Sequence, residues 1–262
     1  MMNPHVLLLG GNGRVARAMT RLMVSRSWRV TSVVRNPQHK EDILRLGANE
    51  AVQCDLRRIQ TVEDASQLIE KHQPSCVVFA AGSFSSPYEI DRDAAQHFIQ
   101  AACQADHVHQ FLMISFPASR RHPAPWWSKQ DIASYRAECE TYPHIQEAKL
   151  QADECLISAA RQRELRGGKI QAISLRPSWL LTSPPTGKVL LGKTPAVGQV
   201  SIDDVAAVAV SLLSRNDTNG WVDLVEGDME IDRAVDALVE NKVNSIEGED
   251  VERMCKVKRL NA

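Results

Sequence analysis

Long hydrophobic runs are missing from this sequence of 262 residues. No segment approaches the roughly 18 consecutive apolar residues of a membrane helix, so no membrane partner is expected. The residues from Met1 to His5 lack both the basic start and the long apolar stretch of a secretory signal. We therefore expect a cytoplasmic protein.

An excess of charge of one sign is also missing. The 31 Lys and Arg residues nearly balance the 32 Asp and Glu residues, so the net charge is −1. Nucleic-acid binding depends on a strongly basic surface that neutralises phosphates. The composition therefore argues against a nucleic-acid partner.

Paired cysteines are absent from the sequence as well. The six cysteines form no Cys-x-x-Cys pair and no spacing typical of a metal site, so we predict no bound metal. Reduced thiols, as in a cytosolic protein, are the expected state. The six are Cys54, Cys76, Cys103, Cys139, Cys155 and Cys255.

Strand-like and helix-like segments alternate from the first residues onward. The run Val6 to Leu9 is apolar on both faces, as in a central parallel strand covered by helices. Apolar residues at helical spacing follow from Val15 to Ser25, and the β-branched run Arg29 to Val34 predicts a second strand. Further strands are predicted at about 51–54, 76–80, 110–115, 170–175 and 221–225, and further helices at about 37–46, 61–72, 89–104, 145–165 and 201–213. This alternation predicts an α/β fold with a doubly wound parallel sheet of the Rossmann type.

We expect one domain over residues 1–262, because this length still suits a single hydrophobic core. The stretch from Thr182 to Pro195 is rich in proline and reads as an extended excursion. We therefore predict a small substrate-side lobe at about 176–240 and a solvated C-terminal tail at 241–262.

The topology itself predicts where a ligand binds. Right-handed crossovers bring the carboxyl ends of parallel strands to one edge of the sheet, and ligands bind there at the point where strand order reverses. The loops that line one continuous site should be those after Leu9, Val34, Cys54, Phe79, Ile114 and Leu175.

The first of these loops carries the pattern Gly10-x-x-Gly13-x-x-Ala16 between a buried strand and a helix. Gly10 permits the tight turn, Gly13 lets the backbone approach a diphosphate, and Ala16 keeps helix and strand close. Free N–H groups at the helix N-terminus then face the phosphates. The predicted dinucleotide-binding residues of this loop are Gly10, Gly11, Asn12, Gly13, Arg14 and Val15.

The end of the second strand indicates which dinucleotide is bound. An acidic residue there would bind the ribose 2′-hydroxyl of NAD, but this chain has Arg35 and no carboxylate before Glu41. An arginine suits a 2′-phosphate through charge-assisted hydrogen bonds. We therefore predict NADP(H) as the cofactor, the alternative being that Arg35 is a solvated loop residue.

Two further loops are predicted to contact the cofactor. Asp55 follows the third strand, where it would meet the adenine amino group with Leu56 beside the ring; a structural aspartate that caps the next turn is the alternative. Ala80, Ala81 and Gly82 end the fourth strand with small residues, as a close approach to a ribose requires. A plain tight turn explains the same three residues.

With these loops in place, the chain resembles the atypical short-chain dehydrogenase/reductase superfamily. It is similar to the NmrA-like NAD(P)-binding branch that includes the biliverdin/flavin reductase type. The resemblance covers about residues 5 to 240, and its N-terminal motifs are specific. The matching segments are 10–16, 33–37, 54–56, 79–82, 114–115, 175–178 and 201–206.

The resemblance implies a set of candidate catalytic residues. The superfamily pairs a serine after the fifth strand with Tyr-x-x-x-Lys on the next helix; Ser115 matches the serine, which would polarise the substrate oxygen, and Lys149 matches the lysine, which would bind the nicotinamide ribose. The tyrosine position is Ile145, a departure that puts ordinary alcohol–ketone chemistry in doubt. Tyr142 lies three residues earlier and either swings into the site or covers the helix end. Pro177 is expected at the cofactor.

Aromatic residues gather on the loops expected around the nicotinamide end. They predict a flat, apolar substrate pocket, and core packing is the competing explanation for each. The residues are Phe84, Phe116, Trp126, Trp127 and Trp179.

The leading hypothesis is an NADPH-dependent reductase that acts on a small or medium apolar carbonyl or conjugated compound. The cofactor carries the hydride chemistry, which needs no tyrosine. A non-catalytic NADP(H) sensor is one alternative, and a redox-neutral isomerase or lyase is another. The sequence does not distinguish a monomer from a homodimer.

Overall fold

The computed structural model describes residues 3–256, and its centre is a nine-stranded sheet. A separate two-stranded sheet lies beside it. The strands are β1 His5–Leu9, β2 Arg29–Val34, β3 Glu50–Gln53, β4 Cys76–Phe79, β5 Gln110–Ile114, β6 Gln171–Pro177, β7 Trp179–Leu181, β8 Lys188–Leu191, β9 Gln199–Ser201, β10 Gly220–Glu226 and β11 Met229–Glu230.

Helices connect the strands and cover both faces of the sheet. They are α1 Arg14–Ser25, α2 Lys40–Arg45, α3 Val62–His72, α4 Ala95–Gln104, α5 Lys129–Thr141, α6 Pro143–Leu165, α7 Ile202–Leu213, α8 Ile231–Glu240 and α9 Val251–Lys256. A π-helical turn, Tyr88–Ala94, leads into α4, and 3-10 turns occupy Pro37–His39 and Leu56–Arg58. Within residues 3–256, no helix combines the length and apolar character needed to cross a membrane.

The strand order is β11-β8-β10-β6-β5-β4-β1-β2-β3. The seven strands from β3 to β10 run parallel, which confirms the predicted Rossmann-type sheet. The order reverses between β1 and β4, so the loops after these two strands diverge at the switch point. The sequence did not predict the antiparallel edge that β8 and β11 form.

The side chains of β1 explain why this strand is apolar on both faces. Val6 and Leu8 join the core that α1, α7 and α8 cover, whereas Leu7 and Leu9 join the core under α3, α4 and α6. All four are fully buried. A central parallel strand has no solvent face, so alternation of polar and apolar residues disappears.

The segment predicted as a lobe, 176–240, is divided between two layers. β10 extends the main sheet beside β6, and α7 packs against α1. β7 and β9 form the separate two-stranded sheet.

The described part of the predicted C-terminal tail is mostly exposed from 247 to 256, but it is held to the domain at particular residues. Arg120 is fully buried and donates hydrogen bonds to the carbonyl oxygens of Ser245 and Glu247, while Met254 of α9 packs against Trp221. A buried guanidinium needs these acceptors, so it holds the segment against the domain. Residues 257–262 of the predicted tail lie outside the described residues.

The N-terminus of helix α3 has a side-chain cap whose effect on stability can be measured. The Thr61 hydroxyl accepts from the backbone N–H of Asp64, and the Asp64 carboxylate accepts from the N–H of Thr61, which forms a complete capping box. We expect Thr61→Ala to lower the free energy of unfolding by about 1 kcal/mol, because the backbone N–H of Asp64 loses its side-chain acceptor. Urea denaturation measures this change as a shift in midpoint at constant slope.

Gln60→Ala is the matched control, because Gln60 is exposed in the same turn and contributes its backbone N–H to Asp64. This variant should stay within about 0.5 kcal/mol of the parent. Equal shifts for both variants would show that the cap does not stabilise α3.

Candidate functional site

A groove runs along the carboxyl edge of the parallel sheet and contains two adjoining cavities. We call the first, of about 520 Å³, the polar recess, and the second, of about 350 Å³, the apolar cleft. Both include Gly13 and the segment 80–84, so they form one continuous groove. The polar recess is lined by Gly10, Asn12, Gly13, Val33, Val34, Arg35, Asn36, His39, Cys54, Asp55, Leu56, Ala80, Ala81, Gly82, Ser83, Phe84, Ser85 and Ile90. The apolar cleft is lined by Gly13, Arg14, Val15, Ala80, Ala81, Gly82, Ser83, Phe84, Asp91, Ile114, Ser115, Phe116, Tyr142, Ile145, Lys149, Pro177, Ser178, Trp179 and Leu180.

The glycine turn after β1 is held in close contact with two neighbouring strands. Gly10 has a φ of +80°, and a Cβ there would come within 2.7 Å of the backbone N and Cα of Ala81. Gly11 donates its N–H to the carbonyl of Val33 at 2.8 Å, and a Cβ there would overlap the Ser32 hydroxyl. Only glycine fits both positions, so the turn leaves its backbone open to the groove.

The N-terminus of α1 faces this turn. Gly13 is the N-cap, and no described side chain accepts a hydrogen bond from the first helical turn, which also contains no acidic residue. The first N–H groups of a helix have no intrahelical partner and carry the positive end of the helix dipole. Asn12 lies beside them, and its Oδ1 accepts from Arg17 Nη1 at 3.0 Å. This arrangement suits an anionic group.

Two cations that form no ion pair among the described residues line a small hollow next to the polar recess, and the two spaces share Arg35, Cys54 and Asp55. Arg35, at the end of β2, and Arg58, after β3, line the same hollow, and neither guanidinium forms an ion pair with a residue in 3–256. Arg57 differs, since its Nη2 lies 2.6 Å from Asp55 Oδ2. The sequence analysis missed Arg58, although an arginine pair directly after Asp55-Leu56 was a visible signal.

Asp55 takes the position that both sequence interpretations allow. It lines the polar recess, and it also caps the 3-10 turn by accepting from the backbone N–H of Arg57 at 3.2 Å. Hydrogen bonds from the Arg57 guanidinium hold the pKa of Asp55 below its usual value. Burial raises the pKa of the neighbouring Cys54 thiol, which keeps that side chain neutral in the recess. Leu56 is buried and lines the recess.

Ser115 reaches the apolar cleft from the end of β5, and its hydroxyl is engaged from behind. It donates to Asp153 Oδ2 at 2.7 Å. Ser174 donates to Asp153 Oδ1 at 2.6 Å, and Arg176 Nη1 donates to Oδ2 at 2.6 Å. The role expected for Ser115, donation to a substrate oxygen, therefore conflicts with the position of its single hydroxyl hydrogen.

The Asp153 carboxylate is fully buried. Burial raises its pKa, and Arg176, Ser174 and Ser115 oppose that rise because each donates to the charged form. The positively charged Arg176 guanidinium lies with Nη1 2.6 Å from Asp153 Oδ2, and this contact stabilises the carboxylate form of Asp153. Asp223 accepts from Nε of the same Arg176 at 2.7 Å.

Lys149 lines the apolar cleft from α6. Its Nζ lies 2.8 Å from Asp91 Oδ1 and donates to the carbonyl of Ile114 at 3.2 Å. Asp91 is buried in the π-helical turn and also accepts from the backbone N–H of Ser83 at 2.8 Å. The contact of Asp91 with Lys149 was not predicted from the sequence, because no motif spacing links the two residues.

The departure at Ile145 is visible in the structure. Ile145 lines the apolar cleft one turn before Lys149 and offers no proton. Tyr142 lies at the junction of α5 and α6 and lines the same cleft. Its ring contacts the rings of Phe84 and Trp179, with centroids 6.4 and 5.5 Å apart. Phe84 is 79% exposed, so this aromatic group surrounds the mouth of the cleft.

Trp126 and Trp127, which were predicted to line the substrate pocket, do not line the apolar cleft. Both indole N–H groups donate to the carbonyl of Thr194, at 2.8 and 3.0 Å, and both rings pack in a separate cluster with Tyr135. Core packing, the competing explanation, accounts for these two. Phe116 and Trp179 do line the apolar cleft.

A Rossmann-type sheet with a glycine turn at its switch point defines a dinucleotide-binding protein. The family model described as NAD(P)H-binding matches residues 10–216, and the chain belongs to that family. Membership agrees with the resemblance to atypical short-chain dehydrogenases/reductases.

Two curated relatives match along most of the chain. A UPF0659 protein of Schizosaccharomyces pombe is 27% identical over 245 residues, covering 89% of this chain and 94% of the relative. Sugar epimerase YhfK of Bacillus subtilis, itself described as uncharacterized, is 29% identical over 242 residues, covering 89% of this chain and 99% of the relative.

Solved structures share the fold. A Bacillus halodurans protein, proposed to be an NAD-dependent epimerase/dehydratase, superposes with a TM-score of 0.71 at 24% identity, covering 90% of this chain and 100% of its own. The anaerobilin reductase ChuY of Escherichia coli O157:H7 superposes with a TM-score of 0.64 at 18% identity, covering 86% and 98% of the two chains. At these identities the likeness concerns the fold.

Two glycine variants separate the energetic cost of backbone strain from the cost of steric overlap at Gly10. Gly10→Ala adds a Cβ against the Ala81 backbone, whereas Gly167→Ala has a similar φ of +82° with nothing within 4 Å. We expect Gly167→Ala to cost about 1 kcal/mol of unfolding free energy from backbone strain alone. Gly10→Ala should cost about 1–3 kcal/mol more, because the backbone must move.

Urea denaturation of the two variants side by side measures the difference. Equal losses of unfolding free energy would mean that β4 does not constrain the turn, and the tight approach described above would be wrong.

Proposed function

We propose that the protein is an NADPH-dependent reductase of a small or medium, flat and apolar carbonyl or conjugated compound. The observation that carries the proposal is the continuity of the groove. The polar recess has a bare helix N-terminus, contains Arg35 and adjoins the hollow that Arg58 lines, and it opens directly into the apolar cleft. Such a groove fits a dinucleotide phosphate at one end and an apolar substrate at the other.

The residues of the polar recess suit NADPH. The backbone from Gly10 to Gly13 and the N-terminus of α1 would hold the diphosphate, since a Cβ would fill the space at Gly10 and the helix end lacks an acidic residue. Arg35 and Arg58 would hold the 2′-phosphate by charge-assisted hydrogen bonds. Leu56 offers an apolar surface for adenine, and Ala80 to Gly82 leave room for a ribose.

The residues of the apolar cleft suit the nicotinamide end. NADPH, when bound, supplies the hydride. Lys149, fixed by Asp91, would hold the nicotinamide ribose, and Pro177 would lie against the cofactor. The aromatic group at the mouth would exclude water.

The cleft-lining side chains that carry transferable protons include Lys149 and Tyr142, and the Tyr142 hydroxyl forms no hydrogen bond within residues 3–256. We assign Tyr142 as the candidate proton donor.

A redox-neutral isomerase is the second candidate, and the name of the B. subtilis relative favours it. The apolar lining of the cleft favours the reductase, because a sugar needs many polar partners. Consumption of NADPH separates the two, since an isomerase oxidises none in net terms.

Activity is the direct test. Purified protein with NADPH and a panel of quinones, flavins and enones should oxidise the cofactor, followed by loss of its absorbance. Lys149→Met should lower kcat/KM by about a hundredfold, because the cofactor ribose loses its anchor. Lys193→Met is the control, since Lys193 pairs with Glu247 at the surface and should keep full activity. Tight NADPH binding without oxidation by any acceptor would contradict the reductase in favour of the isomerase or the sensor.

Cofactor choice is tested by binding. Arg35→Ala and Arg58→Ala should each weaken NADPH binding by about tenfold or more, because each removes a charge-assisted contact, and should leave NADH binding nearly unchanged. Arg29→Ala is the matched control: Arg29 is an exposed arginine that begins β2, at the edge of the sheet opposite the groove, so the ratio of NADPH to NADH affinity should hold. Calorimetry at one fixed ionic strength measures the affinities of each variant for NADPH and for NADH. Equal losses for the two cofactors would exclude a 2′-phosphate site at these arginines.

A further inference from the structure

We infer that Ser115 acts as a hydrogen-bond acceptor in the apolar cleft, so the site selects a ligand that presents an O–H or N–H donor to it. This inference rests on the proposed function, because it names the chemistry of the substrate bound in the same cleft. It reverses the role that the sequence resemblance implies for Ser115.

The direction of the hydrogen bond follows from the partner. Oδ2 of Asp153 accepts from Arg176 Nη1 at 2.6 Å, and a guanidinium has only donors, so this oxygen meets Ser115 as an acceptor. A serine hydroxyl has one hydrogen, and at 2.7 Å that hydrogen of Ser115 lies on Asp153. The side of Ser115 Oγ that borders the cleft therefore carries lone pairs.

The hydroxyl is held in this orientation by its surroundings. Turning the hydrogen toward a ligand carbonyl would remove one donor from a buried carboxylate, which is costly. The backbone of Ser115 is fixed as well, since its N–H donates to the carbonyl of Leu175 at 2.7 Å at the end of the β5–β6 ladder. Movement of the residue away from Asp153 would break this ladder.

The apolar part of the cleft lining, which includes Ile145, Phe116 and Leu180, offers a ligand donor no partner. Tyr142 and Ser178 are the other hydroxyl groups beside Ser115 and Ser83 in this lining, so loss of the preference in Ser115→Ala is what assigns the acceptor. A ligand ether or carbonyl oxygen at Ser115 would bring two acceptors together. A phenol, an enol or a ring N–H would satisfy Ser115 instead. The reducible oxygen of the ligand then belongs on the side of Tyr142, the candidate proton donor, and not at Ser115.

A matched pair of ligands tests the inference. Protein saturated with NADP+ is titrated calorimetrically with 2-naphthol and with its methyl ether, which differ in the donor. The wild type should bind the naphthol about tenfold more tightly, the value of one well-placed hydrogen bond. Ser115→Ala should reduce this preference to within about twofold.

Ser174→Ala is the matched control. It also removes a serine hydrogen bond to Asp153, at 2.6 Å, but Ser174 is a buried residue of β6 that does not line the apolar cleft. Ser174→Ala therefore also removes one hydrogen bond from the Asp153 carboxylate, but it should keep the tenfold preference for 2-naphthol over the ether.

The outcomes separate the two claims. Equal affinity for the two ligands, tighter binding of the ether, binding of neither, or a preference that survives Ser115→Ala overturns the inference while NADP+ binding and NADPH oxidation still support the reductase. Failure of the protein to bind NADP+ overturns the proposed function and, with it, this inference.

Discussion

One buried guanidinium, that of Arg176, supports both the sheet and the site. It is fully buried, bonds Asp153 of α6 and Asp223 of β10, and donates to the carbonyls of Pro117 and Ser119. A charge taken out of water is tolerated only when nearly all its hydrogen-bonding groups are satisfied. The positions of a helix, a strand and the loop after β5 are therefore fixed to one another, and the cleft lies on top of this junction.

The parts of the fold that local patterns encode were predictable. The apolar run of β1, the glycine turn and the cap at Thr61 each depend on neighbours a few residues away, so the sequence carries the whole signal. The right-handed crossovers predicted that the carboxyl ends of the parallel strands share one edge of the sheet, whereas the order of the strands was not predicted. Arg35 was predicted to lie at the groove because a residue that ends a parallel strand must be at that edge.

Features that depend on distant contacts were not predictable. Asp91 meets Lys149 only because a π-helical turn widens the start of α4 and turns the carboxylate inward. Trp126 and Trp127 pack around a carbonyl that lies far along the chain, at Thr194. Helix α5 was missed although Ser128 begins a capping box, because its faces show little apolar periodicity.

The strands at the two ends of the main sheet bear on how copies of this chain can associate. β11 has two residues and β3 has four, so each edge offers only a short row of free backbone groups. Edges this short are poor templates for another strand, which keeps sheets from growing between molecules. A homodimer of this chain would have to join through the outer surfaces of its helices rather than by continuing the sheet.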